Sequence, residues 1–100
     1  MNGTIKVTRT YSASVGRYMW GIGFSLANGM EKRYGGSSEI PMEVVEHALK
    51  TSVFDLIIGG YSGVNLTVEL PEGVTLTDAY KAQVTTKFTG DGTIALITFN

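Results

Sequence analysis

Between Tyr18 and Leu26 the chain alternates bulky and nearly bare residues, and this run constrains the fold more than any other segment. Tyr18, Trp20, Ile22, Phe24 and Leu26 fall on one face of an extended strand, and Met19, Gly21, Gly23 and Ser25 fall on the other. The first row needs a core to pack into. The second row carries so little side chain that another backbone or a ligand can approach it closely. Upstream, Thr4 to Tyr11 alternates in the same way, with Ile5, Val7, Arg9 and Tyr11 on one side and Lys6, Thr8 and Thr10 on the other. Downstream, Asn28-Gly29 is a strong hairpin signal, because both positions of the tightest turn take positive φ. Met30 to Tyr34 then reads as the returning strand, stopped by Gly35-Gly36.

A different period follows. Pro41 suits the first turn of a helix, and Met42, Val45, Ala48, Leu49, Val53 and Leu56 recur every three or four residues. Glu43, Glu46, His47 and Lys50 lie opposite. The spacing predicts one amphipathic helix from about 41 to 57, terminated by Gly59-Gly60. Val64 to Leu70 reads as a strand, and Val74 to Gln83 suits either a helix or a strand. Val84 to Thr89 and Thr93 to Phe99 are rich in β-formers around Gly90-Asp91-Gly92, so they predict a closing hairpin. The expected order is β-β-β-α-β, a short α or β element, then β-β. One helix cannot cover many strands on both faces, so the reading is a single α+β domain over residues 1–100. Its sheet is mostly antiparallel, and its helix packs on one face.

Composition removes several function classes. The 100 residues include no cysteine and one histidine, which excludes a disulfide scaffold and thiol catalysis and argues against zinc. No apolar run approaches the roughly 18 residues of a membrane span, and Met1 to Lys6 lacks the apolar core of a secretory signal. The expectation is a cytoplasmic protein without membrane contact. His47 sits on the helix face beside Glu43 and Glu46, where it reads as a solvated side chain and not as a catalytic base. Gly59-Gly60-Tyr61-Ser62-Gly63 follows a helix and lacks the lysine of a phosphate loop. No catalytic residue, metal ligand or cofactor site is expected, and the chain reads as a non-enzyme.

Charge is unevenly spread. In residues 1–36, Lys6, Arg9, Arg17, Lys32 and Arg33 face Glu31 alone, a local net of +4. Basic and aromatic residues interleave there, and Arg9, Tyr11, Arg17, Arg33 and Tyr34 are the candidates for a nucleic-acid-binding or protein interface. Rings would stack on bases and cations would track phosphates. A sequence pI near 5.7 argues against strong, salt-dependent DNA binding. Glu39, Glu43 and Glu46 are the acidic candidates, suited to a basic site on a protein partner.

Thr8-Arg9-Thr10, Trp20-Gly21-Ile22-Gly23, Asn28-Gly29-Met30-Glu31-Lys32, Met42-Glu43 and Leu66-Thr67-Val68-Glu69 together resemble the first half of a ribonuclease H-like domain, over about residues 4–80. The resemblance implies three antiparallel strands, a helix and a parallel fourth strand. It also implies where the chain departs from the family. Arg9 stands where the family's first strand carries a metal-binding aspartate, Glu43 keeps the helix glutamate, and Glu69 is the nearest acid on the fourth strand. Two-metal chemistry needs clustered carboxylates, and an arginine among them repels the ions. The resemblance therefore implies a catalytically degenerate domain. After residue 80 the family continues with strand–helix units, whereas a closing hairpin is expected here.

The function expected from the sequence is a small protein-interaction module. It would act as an inhibitor or adaptor on a larger partner, which could itself handle nucleic acid. Small viral proteins that block host defence enzymes are similar in size and in lack of motifs. The alternative is a non-catalytic module that binds single-stranded nucleic acid through the basic and aromatic strand face. Thr93 to Phe99 has apolar residues on both faces, which favours strand pairing between chains and a homodimer.

Overall fold

The computed structural model describes residues 1–36 and 41–100. The elements run β1 (Asn2–Ser12), β2 (Arg17–Leu26), β3 (Glu31–Gly36), α1 (Pro41–Ile58), β4 (Val64–Glu69), α2 (Asp78–Thr89) and β5 (Ile94–Phe99). The strands form one sheet in the order β3-β2-β1-β4-β5. β2 lies antiparallel to both β1 and β3, while β4 lies parallel to both β1 and β5. The antiparallel ladders hold more of the paired positions, so the fold is α+β with a mostly antiparallel sheet.

Period two sets the burial. Ile5 and Val7 of β1 lie beside Phe24 and Ile22 of β2, and all four are buried. Leu66 and Val68 of β4 and Ile94 and Ile97 of β5 continue the same face. Val44, Val45, Ala48, Leu49 and Leu56 of α1, with Val84 and Phe88 of α2, close the core over it. Lys6, Thr8 and Thr10 point the other way and are exposed. The molecule is 18 Å along its shortest axis, which accommodates the sheet and one helical layer of about 10 Å.

Three local features differ from expectation. The Asn28-Gly29 turn has positive φ only at Gly29 (φ 93°). Gly29 donates to the Leu26 carbonyl and Leu26 to that of Met30, giving a three-residue loop that ends in a left-handed glycine. Met42 is exposed, and Val44 takes its place in the buried stripe of α1. The largest difference is α2. Val84 to Thr89 is helix, the expected closing hairpin does not form, and the sheet has one strand fewer with a second helix in its stead. Tyr80, Val84 and Phe88 recur at four-residue spacing and pack on the core, which outweighs the β-propensity of the intervening threonines. Thr85, Thr86 and Thr89 instead bond back to carbonyls one turn earlier. Thr77 caps the helix by accepting from the Tyr80 amide.

The end of α1 follows the sequence closely. Tyr61 donates to the Leu56 carbonyl and Gly60 to that of Ile57, the double bond of a Schellman cap, with Gly60 at φ 75°. α2 is tied to α1 by the Tyr80 hydroxyl, which donates to the Met42 carbonyl at 2.8 Å, and by the Lys87–Glu46 pair at 2.5 Å.

Gly3 is closely packed between its two neighbouring strands. A Cβ there would lie 2.8 Å from Leu26 Cδ2, 2.9 Å from Leu66 Cδ2 and 3.2 Å from the Ser25 carbonyl. Gly3→Ala is expected to cost about 1–3 kcal/mol by overpacking, and Phe24→Ala about 3–5 kcal/mol by leaving a cavity. Denaturant unfolding measures both; an unchanged midpoint for Gly3→Ala contradicts this packing.

Candidate functional site

Among the described residues, three surfaces are candidates for contact with a partner. The first is the outer end of the β1–β2 hairpin. Register pairs Arg9 with Trp20 and Tyr11 with Tyr18 on the helix-facing side of the sheet. The Arg9 guanidinium stands 4.5 Å from the Tyr18 ring centre and 5.7 Å from that of Trp20. Tyr11 and Tyr18 meet edge to face at 5.4 Å. Both tyrosines are exposed, whereas Trp20 is buried and its Nε1 finds no hydrogen-bond partner among the described residues.

The second surface is the uncovered face of the sheet. Lys6, Thr8, Gly21, Gly23, Ser25, Glu31 and Arg33 line a groove of about 450 Å³. Its floor is the bare row of β2 that the sequence singled out. Thr8 Oγ1 lies 3.4 Å from the Gly21 carbonyl across the floor.

The third is the outer face of α1 near its C-terminus. Phe54, Ile57 and Ile58, spaced three and four residues apart, are 64%, 54% and 70% exposed. The amphipathic pattern of the helix stops before its last turn. The preceding outer turns hold Glu43, His47 and Lys50, all exposed.

The sequence-derived candidates are divided among these surfaces. Arg9 and Tyr11 meet at the hairpin end. Arg17 pairs with Ser12 at the last rung of the same hairpin. Arg33 pairs with Gly23 and joins the groove on the open face. Tyr34 points to the other face, where its hydroxyl donates to Asp55 of α1 and its ring packs on the core. It is a structural tyrosine in a network with Lys32, which bridges to Asp55 at 3.1 Å. Glu46 is held by Lys87, whose hydrogen bond and charge keep its carboxyl below the usual value. Glu43 is exposed on α1, and Glu39 lies outside the described residues. Of the positions named by the ribonuclease H-like resemblance, Arg9 stands on the helix-facing side, whereas Glu69 shares the open side with Lys6. The strand register does not bring them together. No protein-family model and no curated protein matches this chain. Among the described residues, no helix is long and apolar enough to cross a membrane.

Sequence reasoning did not find Phe54, Ile57 and Ile58. Their signal was present, because none of the three falls on the stripe formed by Val45, Ala48, Leu49 and Leu56.

The Tyr34–Asp55–Lys32 network fixes β3 to α1 and makes stability pH-dependent. Burial, then the hydrogen bond and charge of Asp55, push the Tyr34 phenol up to about 12. The folded state thus holds this proton more tightly than the unfolded chain, whose tyrosine titrates at ~10. That stability is full below ~10 and is lost as pH rises towards about 12. The same hydrogen bond holds the Asp55 carboxyl below its usual value, with Lys32 adding to the effect against burial. Its contribution is present at neutral pH and lost as pH falls through the folded value. Tyr34→Phe is expected to cost about 1.5–3 kcal/mol at neutral pH and to flatten both limbs of the Tm-against-pH curve. Wild-type and variant curves that run parallel contradict this network.

Proposed function

We propose that this chain is a non-enzymatic protein-interaction module that docks through the outer face of α1. The carrying observation is the exposure of Phe54, Ile57 and Ile58 together on one helical face. Three adjacent large apolar side chains in water mark an interaction surface, and their spacing suits a helix received by an apolar groove. Glu46 is engaged by Lys87, so the apolar end supplies most of the affinity. A module of this kind acts as an inhibitor or adaptor by occupying a larger protein.

The fold reading carried with this proposal is a degenerate ribonuclease H-like domain. It is supported by three antiparallel strands, a helix and a parallel fourth strand, in the order β3-β2-β1-β4-β5. It is also supported by the region after residue 80, where α2 leads into a parallel β5 in place of a closing hairpin. Arg9 and Glu69 on opposite faces favour binding over nuclease chemistry.

A second reading rests on the hairpin end. Arg9, Tyr11 and Tyr18, with Arg17 on the adjacent rung, combine cations and exposed rings as single-stranded nucleic acid requires. Two measurements separate the readings. A photo-crosslinking residue at Phe54, in the native cells, is expected to give a defined protein adduct that Ile58→Asp abolishes without changing Tm. The same probe at Thr10 is expected to give none. Fluorescence anisotropy with short single-stranded RNA and DNA at low salt is expected to show no binding. Binding that Arg9→Ala with Arg17→Ala removes, together with no adduct at position 54, overturns the first reading in favour of the second.

A further inference from the structure

Glycine inside a strand costs conformational entropy and forgoes a packed side chain, so its presence calls for a physical reason. Gly21 has one in the fold, because a Cβ there would lie 2.8 Å from Thr8 Oγ1. Gly23 and Gly35 have no such reason among the described residues. Neither has positive φ. Chain neighbours aside, a Cβ on Gly23 would meet nothing closer than the Lys6 carbonyl at 4.0 Å, and one on Gly35 would meet nothing within 4 Å. Register joins the three into one patch on the open face, since Gly21 sits beside Gly35 and Gly23 is the next residue of β2 on that face. β2 is an inner strand whose amides and carbonyls are shared between β1 and β3, so this floor presents flat peptide planes and no free donor row.

The rim of the groove is charged. Lys6 on β1 and Arg33 on β3 are both in register with Gly23, one on each side of it, and both are exposed. Their backbones are two strand spacings apart, about 10 Å. Glu69 neighbours Lys6 in the β1–β4 register, and Glu31 lies one row along from Arg33, opposite Ser25. Among the described residues, however, the ion pairs are Lys32–Asp55 and Lys87–Glu46, and neither Lys6 nor Arg33 has one.

We infer that the groove binds a small flat aromatic acid, with its ring on the glycine floor and its carboxylate or phosphate between Lys6 and Arg33. The charge fits, because one anion over Gly23 supplies a partner to both cations. The shape fits as well. A volume of about 450 Å³ is that of a small-molecule site. The gap between the flanking strands is too narrow for a helix, whose diameter with side chains is about 10–12 Å. A ring can lie against peptide planes only where no Cβ stands between, which is what Gly23 and Gly35 provide. Glu31 repels the acidic group from the Ser25 end and so directs it to the Gly23 row. α1 packs on the opposite face of the sheet, so this inference and the proposed function fail separately.

Amide spectra of the isotopically labelled protein, titrated with naphthoate and with naphthyl phosphate, test it. At least one acid is expected to shift Gly21, Gly23 and Arg33 saturably, and the better binder identifies the acidic group. Neutral naphthamide and inorganic phosphate are expected to leave these amides unmoved. Gly23→Ala is expected to keep or raise Tm, since its φ suits alanine, and yet to lose binding. Lys6→Gln with Arg33→Gln, both at exposed positions, is expected to lose binding without a change in Tm. No saturable shift with either acid at millimolar concentration overturns the inference. So does an equal response to naphthamide or to inorganic phosphate, or binding that survives either variant. Shifts at Gly21 and Gly23 on raising the protein concentration alone would assign the floor to a second copy and overturn it too.

Discussion

The register of β1 between β2 and β4 is the constraint on which the rest of this structure depends. β1 is the central strand, antiparallel to one neighbour and parallel to the other. Setting Ile5 beside Phe24 and Val68 puts three buried side chains in one row and leaves Lys6 beside Gly23 and Glu69 on the open face. A slip of one residue would exchange these rows and put a lysine in the core. Gly3 guards against such a slip, because its backbone is close to Leu26 on one side and Leu66 on the other. The helices then have only one face on which to pack, and the groove over β2 stays open.

Much of this was legible because period two and period 3.6 leave distinct marks. The row Tyr18, Trp20, Ile22, Phe24 and Leu26 was readable as core, correctly except for Tyr18, which is exposed at the hairpin end, and α1 was readable as one helix with a glycine stop, because each pattern was long and uninterrupted. α2 was readable only in part: Asp78 to Gln83 was open to either a helix or a strand and proves helical, whereas Val84 to Thr89 read as a strand. Its apolar residues Tyr80, Val84 and Phe88 mark a single narrow stripe, and three threonines and a valine give the same window a strong β signal. The cap at Thr77 and the packing of that stripe on β5 and α1 decide the outcome, and packing is not local information. Once α2 forms, Thr93 to Phe99 has no hairpin partner and joins β4 in parallel, since the helix returns the chain to the same end of the sheet.

The candidate site was less legible than the fold because interleaving along a sequence does not decide which face a side chain reaches. Arg33 and Tyr34 are adjacent in the chain, yet one lines the open groove and the other bonds to Asp55 under α1. Arg9 and Tyr18 are nine positions apart, yet register stacks them at 4.5 Å. The exposed end of α1 shows the reverse case. Phe54, Ile57 and Ile58 lie opposite the stripe of Val45, Ala48, Leu49 and Leu56, so the spacing already set them outside, but apolar residues at the end of a helix are easily read as more core.

The local excess of positive charge in β1 to β3 is likewise divided by the fold. Lys32 is bridged to Asp55 on the helix-facing side, Arg9 lies over two rings beyond the helices, and Lys6 and Arg33 flank the groove with Glu31 between the same strands. A net of +4 in the sequence thus becomes separate, partly compensated positions on two faces of a sheet. Electrostatic attraction of a polyanion depends on cations that act together within about a Debye length of ~8–10 Å on one surface. The arrangement weakens long-range attraction while leaving Arg9, Tyr11 and Tyr18 as a local contact, and contacts of that composition are common anchors in protein interfaces. The division of charge between the two faces, more than the absence of a catalytic motif, is the physical ground for proposing a protein partner over a polyanion.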